Sequence, residues 1–167
     1  MILLVLLISL LLSLVNINQS LWLDEAISVN FANAPSFTNL IFSNLPGDFH
    51  PPLYYLILKS VLMILPASEI VLRLPSAIFG IATVLVTYLI SKKLYNQKTA
   101  LIASILLATG PLFVYYQQEA RMYMLAALAA TISVYFFISI LQKDKFLNWV
   151  GFILSTGVML YVDYLPY

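Results

Sequence analysis

Two adjacent carboxylates, Asp24 and Glu25, follow an apolar opening run in Leu21-Trp22-Leu23-Asp24-Glu25-Ala26. Charge at the bilayer centre costs about 2.5–3.5 kcal/mol per residue, so paired acids at the end of such a run lie at the water interface. There a carboxylate can take a proton from a hydroxyl or hold a divalent cation. The same acids also suit a helix start, where the dipole end is positive. His50, the sole histidine, stands ahead of Pro51-Pro52. A rigid helix start with free N–H groups can hold an anion beside an imidazole, and a histidine there can equally serve as an interfacial cap. Arg73 is set in apolar sequence, either as a snorkelling anchor or as a fork of donors for a phosphate.

A third group lies in Tyr115-Tyr116-Gln117-Gln118-Glu119-Ala120-Arg121-Met122-Tyr123. On a continuous helix, Gln117 and Gln118 share a face with Arg121. An aromatic belt with a solvated charge pair explains this composition, and so does a polar site built beside a kinked span. Lys59 and Glu69 read as interface anchors. With no cysteine, thiolate chemistry and disulfides are excluded. Asp24 and Glu119 are the candidate ligands if a divalent cation is used. No basic stripe is present to bind nucleic acid.

The elements that must position these groups are membrane helices. The chain is 62% hydrophobic and 9% charged, with a mean hydropathy of +0.97, far from the soluble norm of about 25% charged. The expected fold is all-α, a polytopic transmembrane bundle. A span needs about 20 apolar residues, and residues 2–17, 70–91, 99–117, 122–141 and 146–162 qualify or nearly do. The first lacks a basic n-region and a cleavage motif, so it reads as a retained span. Lys92, Lys93, Lys98, Lys143 and Lys145 occupy two short loops, which the positive-inside rule places in the cytoplasm. Residues 18–69 then form an external loop, and six of seven acids, all but Asp144, fall on the outer side. Residues 51–65 cannot cross completely and read as an interfacial or re-entrant helix. Residues 24–45 read as amphipathic, with Ile27, Phe31, Phe37, Leu40 and Ile41 as the apolar set, broken by Pro35 and Pro46-Gly47. Pro66 ends the 51–65 helix, Ser68 is the N-cap of the next, and Gly110-Pro111 kinks the 99–117 span.

Taken in order, Trp22-Leu23-Asp24-Glu25, His50-Pro51-Pro52-Leu53-Tyr54-Tyr55, Leu72-Arg73-Leu74-Pro75-Ser76 and the 115–123 string resemble the N-terminal half of GT-C glycosyltransferases, in the protein-mannosyltransferase and ArnT-like branch. The resemblance implies transfer of a sugar, with inversion, from a polyprenyl-phosphate donor to a protein, lipid or glycan hydroxyl outside the cytoplasm. It implies Asp24 as the catalytic acidic residue of the first external loop, with Glu25 its neighbour. His50, Arg73, Glu119, Arg121, Tyr116 and Gln118 are implied around the lipid phosphate. Family members are longer, so the chain is expected to be an N-terminal portion. Where the family often has His-Tyr after its fifth span, this sequence has Asp163-Tyr164. Two other classes fit the composition: a transporter or flippase, supported by the Gly110-Pro111 break, and a truncated non-catalytic membrane subunit.

Overall fold

The computed structural model describes residues 1–42 and 50–163, and among these it is helical throughout, with no strand. The helices are α1 (Ile2–Leu14), α2 (Leu23–Ala32), α3 (Phe37–Phe42), α4 (Leu53–Leu62), α5 (Glu69–Leu94), α6 (Gln97–Ala108), α7 (Pro111–Gln117), α8 (Tyr123–Gln142) and α9 (Phe146–Val162). The chain is an α-helical membrane bundle.

Helix ends follow local chemistry. The Ser68 hydroxyl accepts from the Val71 N–H at 3.3 Å, and the Asn96 side chain accepts from Thr99 N–H at 3.0 Å, each satisfying a donor that the first turn leaves free. Pro111 opens α7 at a position where its missing N–H is harmless, and α6 meets α7 at a 64° bend. Pro35 separates α2 from α3, while Pro46-Gly47 lies outside the described residues.

Two helices, α5 and α8, are long and apolar enough to cross a bilayer, and the bent pair α6–α7 makes a third. The apolar helices α1, α4 and α9 are shorter. Where the sequence suggested one span over 2–17, α1 ends at Leu14 and Asn16 takes φ 57°. Asparagine tolerates this left-handed conformation better than most residues, and the chain turns there before Asp24. At ten residues, α4 has about half the length of a crossing.

Packing separates two cores. One joins Phe31, Leu40, Tyr54, Tyr55, Leu58, Leu72 and Met122, fastening the short helices α2–α4 onto α5 and α8. Of the apolar set in α2 and α3, Phe31 and Leu40 are buried while Phe37 and Ile41 stay exposed. The other core packs Val5 of α1 against Val84, Tyr88, Ala100 and Ala108. Several of the polar groups between helices are small hydroxyls, as in the Ser133–Thr156 hydrogen bond of 2.7 Å linking α8 to α9. Such groups suit close helix packing in lipid. Outward faces are apolar, with Leu4, Ile102, Leu106, Leu112 and Ile153 exposed. A surface of this kind is stable against hydrocarbon rather than water.

The bundle has two chemically distinct ends. Lys93 of α5 meets Ser139 and Gln142 of α8 at one end, where Met1 and Lys98 border a common cavity. Arg73, Glu25, Glu119, Arg121 and the His50–Asp163 pair lie toward the other end of the same helices.

Candidate active site

Glu25 lies in the first turn of α2 and is completely buried. Its Oε1 accepts from Arg73 Nε and from the Ala120 N–H, both at 2.8 Å. Its Oε2 accepts from Arg73 Nη2 at 2.6 Å and from the Trp22 N–H at 3.3 Å, the latter closing the first turn of α2. A buried carboxylate is tolerable only with this kind of compensation.

Arg73 is equally occupied. Beyond Glu25, its Nη1 donates to the Ile17 and Gln19 carbonyls at 2.7 and 2.8 Å, and its Nη2 to the Ser20 carbonyl at 3.4 Å. All five guanidinium N–H groups thus find acceptors in the protein. In this structure Arg73 neither snorkels to water nor presents a free fork. It fastens the turn after α1 to α2 and α5.

The glutamines belong to the same fastening. The expectation of one helical face carrying Gln117, Gln118 and Arg121 is corrected, because α7 stops at Gln117 and α8 begins only at Tyr123. Gln118 Nε2 donates to the Leu12 and Val15 carbonyls at 2.8 Å, groups that the end of α1 leaves without helical partners. Gln117 Nε2 donates to Ser9 Oγ at 3.1 Å. Gly80 provides the room: a Cβ there would collide with the Gln117 side chain. Lys59, expected as an interface anchor, instead donates to the Ala34 and Ala32 carbonyls at 2.5 and 3.3 Å and closes the end of α2.

A second acid–base set is much less satisfied. Glu119 is 4% exposed, and neither carboxylate oxygen has a hydrogen bond of ordinary geometry. Burial, with the negative charges of Glu25 and Asp24, raises its pKa above the usual 4.5, while the Tyr115 phenol and Arg121 act in the opposite direction. Arg121 is buried with its Nε unpartnered, and its Nη1 reaches the Asp24 carbonyl and Ser28 Oγ only at 3.5 Å. Its guanidinium lies 5.7 Å from the Tyr123 ring centroid. The Arg121 carbonyl accepts from Ser76 Oγ, which also meets the Tyr54 hydroxyl, both at 3.2 Å. Asp24 is half-buried, and its carboxylate has no hydrogen bond or ion pair among the described residues.

Glu119, Glu25 and Arg73 border a polar cleft of about 230 Å³, whose other lining residues are Asn16, Gln19, Ser20, Trp22, Tyr115 and Gln118. The structure therefore brings Glu25, Arg73, Gln118 and Glu119 into one cleft, while Asp24 and Arg121 are not among its lining residues. His50 lies elsewhere, its Nε2 3.6 Å from the Asp163 carboxylate. Tyr116 meets Tyr115 edge-on and Tyr123 at a tilt, with centroids 5.5 and 4.9 Å away, and lines an apolar groove of about 370 Å³ at the α6–α7 bend. Among the described residues no three His, Cys, Asp or Glu side chains converge as metal ligands. The lining residues not singled out from the sequence are Asn16, Gln19, Ser20, Trp22 and Tyr115. The signal for the first three was the polar run Asn16-Ile17-Asn18-Gln19-Ser20, whose start was absorbed into the first span.

The family model described as dolichyl-phosphate-mannose-protein mannosyltransferase matches residues 49–165, more than two thirds of the chain. No curated protein and no solved structure matches it significantly.

Proposed function

The chain belongs to the dolichyl-phosphate-mannose-protein mannosyltransferase family, a group of GT-C membrane glycosyltransferases, and from that premise we propose that it activates a hydroxyl acceptor for sugar transfer from a polyprenyl-phosphate donor. One observation carries the reading. Two neighbouring acids have opposite environments: Glu25 is saturated and buried, whereas Asp24 is half-exposed with a carboxylate that no described residue engages. Asp24 is the base in this reading, and Glu25 holds the first turn of α2 in place.

The acceptor oxygen attacks the anomeric carbon while Asp24 takes its proton. The bond from that carbon to the phosphate oxygen breaks, its electron pair leaves with the polyprenyl phosphate, and the configuration inverts. The leaving group needs positive charge rather than a proton. Arg121, with spare donor capacity beside Asp24, is the first candidate to supply it in a partly dehydrated site. His50, paired with Asp163 away from the cleft, is a candidate for a later part of the donor. The active face is extracytoplasmic, because it lies at the end opposite the lysine loops.

The test is transfer of radiolabelled mannose from a polyprenyl-phosphate carrier in membranes containing the full-length protein, with Asp24→Asn in parallel. Loss of about a hundredfold to ten-thousandfold in the variant is expected for a general base. Equal transfer by both would remove Asp24 from catalysis. The 64° bend favours a second reading as a lipid-linked sugar transporter. Carrier translocation that persists in Asp24→Asn without transfer would support it.

A further inference from the structure

The end of the bundle remote from the acids has its own polar cavity. Where α5, α8 and α9 meet, Lys93, Tyr135, Ser139, Lys143, Lys145 and Asn148 line a space of about 260 Å³. The Lys93 ammonium is fixed in place, donating to Ser139 Oγ and lying 4.6 Å from the Tyr135 ring centroid. Lys143 and Lys145 flank it from the exposed α8–α9 connection. Asn148 braces that connection by donating to the Lys143 carbonyl at 2.9 Å.

Three lysine charges here face a single acid. Asp144, the acid between the two connecting lysines, accepts from the Trp149 indole N–H at 2.7 Å instead of pairing with a lysine. Among the described residues, none of the three cavity lysines forms an ion pair. The surrounding surface is apolar: Leu141, Phe146 and Leu147 are 71%, 84% and 73% exposed. An anion alone would match the lysines but make no use of this rim, which borders the hydrocarbon. A molecule with an anionic head and hydrocarbon tails matches both.

We propose that this cavity binds the phosphate headgroup of an anionic phospholipid, with its acyl chains lying along Leu141, Phe146 and Leu147. Basic pockets between membrane helices are suited to such heads, each lysine adding favourable attraction near the surface. Tyr135 and Ser139 hold Lys93 while the connecting lysines close over the phosphate. The site is independent of the transfer chemistry at the other end.

Native mass spectrometry of the full-length protein, titrated with phosphatidylglycerol or phosphatidylcholine, tests this. Lys143→Gln/Lys145→Gln removes two cavity charges. Lys92→Gln/Lys98→Gln removes two exposed charges near the same end but outside the cavity, so the pairs are matched in charge. Phosphatidylglycerol affinity is expected to fall about tenfold or more in the first pair and to stay unchanged in the second, with phosphatidylcholine indifferent to both. Equal losses in the two pairs would overturn the site in favour of diffuse attraction. No loss in the first pair would overturn it outright. Displacement of the bound lipid by millimolar inorganic phosphate would mark the cavity as a site for the free anion.

Discussion

Two glutamate–arginine sets stand at the same end of this bundle and differ in almost every respect except residue type. Glu25 and Arg73 share two hydrogen bonds, and every remaining donor of Arg73 meets a backbone carbonyl. Glu119 and Arg121 are just as inaccessible, yet both oxygens of one and the Nε of the other lack a hydrogen bond of ordinary geometry, with the Tyr115 phenol the near neighbour of Glu119. Buried charges in a well-paired set are strongly held and chemically quiet, because each protonation or displacement breaks several bonds at once. Unsatisfied ones are the groups with capacity for a substrate. The first set therefore fastens the helices together, and the second is the set we propose has donors and acceptors left for substrate.

The largest expected effect comes from breaking the fastening. Arg73→Ala leaves the Glu25 carboxylate buried without its cation and frees the carbonyls after α1. It should lower stability by about 3–5 kcal/mol, read as early unfolding in detergent denaturation. Glu25→Leu combined with Arg73→Met should recover part of that loss, since a buried pair can be replaced by apolar volume. The recovery will be incomplete because the Ile17, Gln19 and Ser20 carbonyls still lack a donor. If Arg73→Ala melts like the wild type, the contrast between the sets fails.

A second, intermediate effect sharpens the comparison from the other side. Arg121→Gln removes contacts that are already at 3.5 Å and should cost only about 1 kcal/mol of stability. Mannose transfer should nonetheless fall about a hundredfold, as expected for one lost charge stabiliser at a leaving group. Parallel transfer assays and melting curves would reveal the split. A variant as unstable as Arg73→Ala would place Arg121 in the fastening instead.

The smallest effect is a pH dependence. With its folded pKa raised above 4.5, Glu119 favours the folded state most when protonated. Its contribution is fully present below the ordinary carboxyl value and is lost as pH rises through the raised one. Glu119→Gln should flatten that slope, giving a variant relatively more stable than wild type at neutral pH. Melting temperatures from pH 4 to 8 would register this, and identical slopes would remove Glu119 from the unsatisfied set.

Legibility in the sequence depended on how local each feature was. The Ser68 cap, the Gly110-Pro111 break, the long helices α5 and α8 and the helical short segments before them are all set by neighbours a few residues apart. Asp24 and Glu25 were conspicuous for the same reason, since two charges in apolar sequence need no structure to be noticed. Their division of labour was not visible. It depends on Arg73, 48 residues beyond Glu25, and on the Ala120 N–H, 95 residues beyond it. The 115–123 string invited a continuous helical face, but the chain breaks there so that Gln117 and Gln118 can reach α1.

By itself the sequence determined that this chain is a helical membrane protein, and it carried the motifs of the mannosyltransferase family. Hydropathy and charge act residue by residue, and so can be read from residue order. Only the tertiary structure decided which carboxylate is saturated and which is left open, because a charge buried as deeply as that of Glu25 is costly without a partner. That partner is supplied by whichever distant helix the packing brings alongside.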